Sequence, residues 1–333
     1  MSNYEYILEE IKRVPEDIEE ILISFKDYDF KEIMFNNILF LGTGGGSRAS
    51  FDVLLTYLFD KSPYPIFIHQ GYEIPSFVNE KTLVFSVSYS GETEETISST
   101  LEALKKTKNI FILTKGGFLE KLAKEKRLFF IKLKDGYEAR HALHLIFFSI
   151  LKILSHYLHL NLDDEIIDTI RTLKEIKKKS HEDIRKIVDE IKGKIPFIYG
   201  SYLFSDSLSE RLRRQLNENG KTLSHSNIVP SLHHDEIVGF MDNSLSQKVF
   251  VILIRDLYED EKINKRFEIT KKVLESYGFK YYEIYPENSL YKLSRMFSII
   301  YKIDLISLEF AKIRDFDPKD VKIIEYLKEL MKK

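Results

Sequence analysis

Short apolar runs alternate with amphipathic stretches along most of the chain. Residues 37–42 (NILFLG), 65–69 (PIFIH), 82–88 (TLVFSVS), 110–114 (IFILT) and 128–133 (LFFIKL) are dense in Ile, Leu, Val and Phe. Continuous runs of that length suit strands covered on both faces. Between them, apolar residues recur at helical spacing over about 47–60, 92–106, 118–126 and 138–159. NLDDEI at 161–166 breaks the pattern, and helical stretches follow from 164 to about 192. The alternation then restarts. Strands are expected over 195–200, 248–254 and 281–285, a helix after the first of them, and further helices over about 290–310 and beyond Pro318. Strands alternating with helices predict parallel, doubly wound sheets. The expected fold is α/β, with two such domains and flanking helices, over residues 1–160 and 161–333.

A chain of 333 residues has room for two domains. Its 50 basic and 52 acidic residues leave a net charge of -2. That balance offers no global field to attract nucleic acid or an anionic membrane. A small anion would have to be held by local groups. The absence of cysteine removes disulfides, thiolate metal sites and a cysteine nucleophile. The first residues are charged and amphipathic, without the apolar core of a signal sequence. The longest apolar run, 143–154, is interrupted by His144, Ser149 and Lys152 and is too short to span a bilayer. A cytoplasmic location is the expectation.

Three segments carry candidate chemistry. SYSGETEET, 88–96, follows a strand and opens a helix. Ser88, Ser90 and Thr93 place hydroxyls around a helix N-terminus, where outward N–H groups and the dipole favour an anion. Gly91 permits a tight turn there. The alternative is an ordinary N-cap at Ser90 followed by first-turn acids. GTGGGSRAS, 42–50, occupies the first strand-to-helix turn, where a ligand can approach the strand's carboxyl end. It fits neither a Walker loop nor the full dinucleotide fingerprint, and a tight turn without a ligand is the alternative. The third segment, 209–240, holds Glu218 at a helix end and His234 after a Pro230 turn. A loop of that length could return to the same cleft. Imidazole titrates near neutrality, and a desolvated carboxylate can take a carbon-bound proton. His225, His233, His234, Asp235 and Glu236 could instead ligate a metal, although their spacing matches no standard zinc signature.

These blocks resemble the archaeal-type bifunctional phosphoglucose/phosphomannose isomerases, two-domain members of the phosphoglucose isomerase superfamily. The resemblance rests on the glycine loop, SYSGETEET, QLNENGK at 215–221, HHDEIVG at 233–239, and the C-terminal blocks at 297–318 and 323–328. It implies two sugar-isomerase (SIS) domains and interconversion of glucose 6-phosphate, and of mannose 6-phosphate, with fructose 6-phosphate through ring opening and a cis-enediol. It also implies roles. Ser88, Ser90 and Thr93 would bind the phosphate, and Gly45, Gly46 and Ser47 would line the sugar. Arg140 would stabilise the enediolate, Glu218 would move the C1/C2 proton, His234 would open the ring, and Lys328 would lie near the ring oxygen. Family members are homodimers without metal or other cofactor, and their histidine can come from the partner subunit. This sequence departs from the family pattern in four places. An extra glycine precedes Ser47, Ala139 stands where proline is usual, Asp235 stands for asparagine, and Lys319 stands for threonine after Pro318. The rival readings are a non-catalytic sugar-phosphate sensor and an amino-sugar phosphate isomerase or deglycase of the same fold.

Overall fold

The computed structural model describes residues 2–26 and 28–331. The chain forms two compact units. One holds residues 13–174 with 291–294. The other holds the residues up to Lys12, residues 175–290 and those from Arg295 on. The first helix, α1 (Asn3–Lys12), counts with the second of these units.

The unit of residues 13–174 opens with α2 (Val14–Ser24). It then alternates β1 (Asn37–Leu41), α3 (Gly44–Leu58), β2 (Ile66–His69), β3 (Thr82–Val87), α4 (Glu94–Leu104), β4 (Ile110–Thr114), α5 (Gly117–Lys126) and β5 (Phe129–Lys132). The strands form one parallel sheet in the order β2-β1-β3-β4-β5. Every residue of β3 and β4 is buried, whereas the edge strands β2 and β5 are only partly covered. That difference is what helices on both faces of a sheet produce. The expected helix over 138–159 is divided. A 3₁₀ turn at Ala139–His141 precedes α6 (Leu143–Tyr157), and α7 (Asp163–Ile176) follows.

The second unit contains α8 (Glu182–Ile191), β6 (Ile195–Ser201), α9 (Asp206–Glu218), β7 (His225–Val229), β8 (Val249–Ile254), α10 (Glu261–Ser276) and β9 (Tyr281–Ile284). Most of α11 (Lys292–Ile313) and all of α12 (Lys322–Met331) complete it. The sheet is again parallel, in the order β7-β6-β8-β9. On α8, Ile184, Ile187, Val188 and Ile191 fall on one buried face at helical spacing. Strand β7, HSNIV, lies where the sequence pattern suggested a loop. It is polar and mostly half-exposed at the sheet edge, so it lacks the apolar run that revealed the other strands.

Candidate active site

In the first sheet the winding reverses between β1 and β3, with β2 to one side and β4 and β5 to the other. Doubly wound sheets hold ligands at the carboxyl ends of the strands at such a point. The loops that leave β1 and β3 are the glycine loop and SYSGETEET. After β3, Ser88 is buried, and its Oγ lies 2.8 Å from Thr93 Oγ1 and 3.4 Å from Ser90 Oγ. Gly91 N donates to Ser88 Oγ at 3.1 Å, and Glu92 N donates to Ser90 Oγ at 3.2 Å. The structure therefore gathers the three hydroxyls. The N-cap of α4 is Thr93, not Ser90, and its side chain makes no capping bond to the helix. Hydroxyls and first-turn amides can then serve an anion together. Glu92 is turned away to accept from Phe118 N at 2.8 Å.

The glycine loop enters α3 through Thr43, which is extended and makes no side-chain cap. Gly44 has φ +84°, a conformation favoured only by glycine. Ser47 is buried in the first turn beside Gly45 and Gly46. A side chain at Gly46 would collide with the Ala139 carbonyl oxygen. The glycine loop thus packs directly on the 3₁₀ turn that carries Arg140. Arg140 is 4% exposed, with Nη1 3.7 Å from Glu138 Oε2. It is not a surface ion pair.

In the second unit Glu218 is the last residue of α9 and is half-buried. An acid there faces the negative end of the helix dipole, where carboxylates are disfavoured. Local conflicts of this kind mark functional positions. The backbone around Glu218 is fixed. Gln215 Nε2 donates to Asp304 Oδ1 at 2.7 Å, and Asn219 Nδ2 donates to Ser307 Oγ at 2.9 Å. Arg314 Nη1 donates to the Gly220 carbonyl at 2.7 Å. Lys221 Nζ bridges the carbonyls of Glu218 and Pro318. The QLNENGK block is thereby held against the C-terminal block at 297–318.

His234 ends the 3₁₀ turn Ser231–His234 beyond β7 and is exposed. Two residues on, Glu236 is held by its neighbours. That carboxylate accepts from the Tyr199 hydroxyl at 2.6 Å and from Asn227 Nδ2, and lies 3.0 Å from His225 Nε2. His233 is engaged by Thr270 Oγ1 at 2.7 Å and Arg266 Nη1 at 3.1 Å. Burial, then Arg266 and His234, lower its pKa. These bonds engage His225, His233 and Glu236, three of the five side chains considered as metal ligands. Among the described residues no group of three or more His, Asp or Glu is set to hold an ion.

The 219–233 segment does not return Glu218 and His234 to one cleft, contrary to expectation. It contains β7, which pairs parallel to β6. As the crossover helix between parallel strands, α9 runs back along them, so Glu218 lies toward their amino edge and His234 beyond their carboxyl edge. Five strand residues separate those edges by about 15 Å. Lys328 is exposed on α12.

The carboxyl edge of the second sheet is closed. Arg255, at the end of β8, is 2% exposed and is held by Glu259 Oε2 at 2.8 Å, Asn264 Oδ1 at 2.7 Å and Glu283. Ser205 Oγ donates to the Ile254 carbonyl at 2.8 Å. A cavity of about 350 Å³ lies between α8, β9 and α11. Its two lysines, Lys179 and Lys302, are both paired with Glu287. The hydroxyls gathered after β3 in the first unit are the stronger candidate for an anion site.

Two parallel, doubly wound sheets, with a hydroxyl-lined turn at the switch point of the first, define a protein of the sugar-isomerase (SIS) class. The profile of the bacterial phospho-glucose isomerase C-terminal SIS domain matches residues 180–331. The chain is 33% identical over 304 residues to the bifunctional phosphoglucose/phosphomannose isomerase of Aquifex aeolicus (strain VF5), covering 90% of this chain and 91% of that protein. It is 30% identical over 332 residues to the protein of the same name from Caldicellulosiruptor bescii, covering 96% and 95%. It also superposes on the C-terminal domain of glucosamine-fructose-6-phosphate aminotransferase from Francisella tularensis. There the TM-score is 0.71, at 16% identity over 93% of this chain and 96% of that one. The chain belongs to the bifunctional phosphoglucose/phosphomannose isomerase family.

Proposed function

We propose that the protein is an aldose–ketose isomerase that interconverts fructose 6-phosphate with glucose 6-phosphate and with its C2 epimer, mannose 6-phosphate. The observation that carries the reading is the Ser88–Ser90–Thr93 cluster at the N-terminus of α4, sited at a topological switch point. It suits the phosphate of a sugar without Lys or Arg. Gly45, Gly46 and Ser47 line the sugar.

Isomerisation opens the ring and moves one proton between C2 and C1, so oxidation at one carbon balances reduction at the other. His234 moves the proton that opens the ring. Glu218 takes the carbon-bound proton and returns it to the neighbouring carbon. Arg140 faces the negative charge of the enediolate, and Lys328 attends the ring oxygen. The separation of Glu218 and His234 along β7 favours a site that takes Glu218 from one copy of the chain and His234 from another, in a homodimer.

A coupled assay with fructose 6-phosphate, detecting the two aldoses separately, tests the reading. Wild type should form both, and Glu218→Gln should lose roughly 10²–10⁴-fold in kcat. Wild type that binds fructose 6-phosphate without turning it over would overturn the reading in favour of a sensor.

A further inference from the structure

The segment that carries Arg140 leaves β5 at Lys132 and enters α6 at Leu143. It is clamped from both sides by one acid on α2. Ahead of Arg140, Lys134 Nζ donates to Asp17 Oδ1 at 2.8 Å, and the Tyr137 hydroxyl donates to Asp17 Oδ2. Beyond it, His144 Nε2 lies 3.0 Å from the same Oδ2. Asp17 is 1% exposed. A carboxylate so buried is strongly disfavoured unless paired and hydrogen-bonded. Burial pushes its pKa up, but the bonds from His144, Lys134 and Tyr137 hold it down to about 2.

The same segment is tied to both ligand loops. The Tyr89 hydroxyl, from SYSGETEET, donates to the Lys134 carbonyl at 2.9 Å and accepts from Tyr137 N at 3.1 Å. Gly46 packs on the Ala139 carbonyl. Nothing in the proposed chemistry uses Asp17, yet it joins the residues on either side of Arg140.

We propose that Asp17 is a positioning residue that clamps residues 134–144 and so fixes the Arg140 guanidinium where it meets the enediolate. This role rests on the isomerase reading. A fixed donor acts on the transition state more than on bound substrate. Kinetics of Asp17→Asn, Arg140→Lys and the double variant test it. Asp17→Asn should lower kcat by roughly 10–100-fold and leave KM for fructose 6-phosphate within about twofold. It should also weaken inhibition by a phosphorylated hydroxamate that mimics the enediolate. In the Arg140→Lys background the same substitution should cost no further kcat, because its partner is already lost. Tyr137→Phe keeps the carboxylate and carries the same test if Asp17→Asn does not fold. Losses that multiply in the double variant, or an unchanged kcat in the folded single variant, would overturn the role alone. A wild-type protein without isomerase activity would sink the isomerase reading, and this role with it.

Discussion

Ser88 shows how one buried hydroxyl can organise a turn. It directly follows a fully buried strand, contacts Ser90 and Thr93, and accepts from Gly91 N. With Thr93 bonded to Ser88 and not to its own helix, the first turn of α4 has no side-chain cap, the state in which its amides can serve the proposed phosphate. Replacing Thr93 by Val keeps the shape and removes the hydroxyl. Hydrogen bonds to charged groups are worth about 1.5–3 kcal/mol, so Thr93→Val should raise KM for fructose 6-phosphate about tenfold or more and leave kcat nearly unchanged. Steady-state kinetics check this, and a fall in kcat at constant KM would remove Thr93 from the phosphate site. These hydroxyls were legible in the sequence because they fall within six residues. Asp17 was not. It looks like any first-turn helix acid, and its partners Lys134, Tyr137 and His144 lie more than a hundred residues away.

Among the elements, the turns after strands carry the candidate residues. Gly91 has φ +75°, and a side chain there would also meet the Gly116 carbonyl oxygen, because the turns after β3 and β4 pack against each other. Gly136 has φ +90° but open space around it. Alanine at Gly136 should cost about 1 kcal/mol, from backbone strain alone. Alanine at Gly91 should cost several-fold more. Thermal melts of the two variants compare them directly, and equal shifts would contradict the close packing of the two turns. The buried strands and most helices were readable from apolar periodicity. Strand β7 was not, since its exposed edge position lets it carry His, Ser and Asn. Without that strand Glu218 and His234 are not placed at opposite edges of the sheet. The 3₁₀ turn at Arg140 was hidden inside a helical pattern, because one tight turn hardly disturbs that periodicity.

For the whole molecule, two sheets of one architecture differ at their carboxyl edges. The carboxyl edge of the first presents hydroxyls and backbone amides, while that of the second is filled by the Arg255 network. In the second unit Glu218 and His234 lie toward opposite edges of its sheet. This arrangement predicts that the catalytic set is completed between two copies of the chain. Complementation tests that claim most directly. Glu218→Gln and His234→Ala are each expected to be inactive as purified homodimers. Co-expressed, they should form mixed dimers with one intact site each, and the random mixture should recover about a quarter of wild-type isomerase activity. Verified mixed dimers that recover no activity would contradict the account.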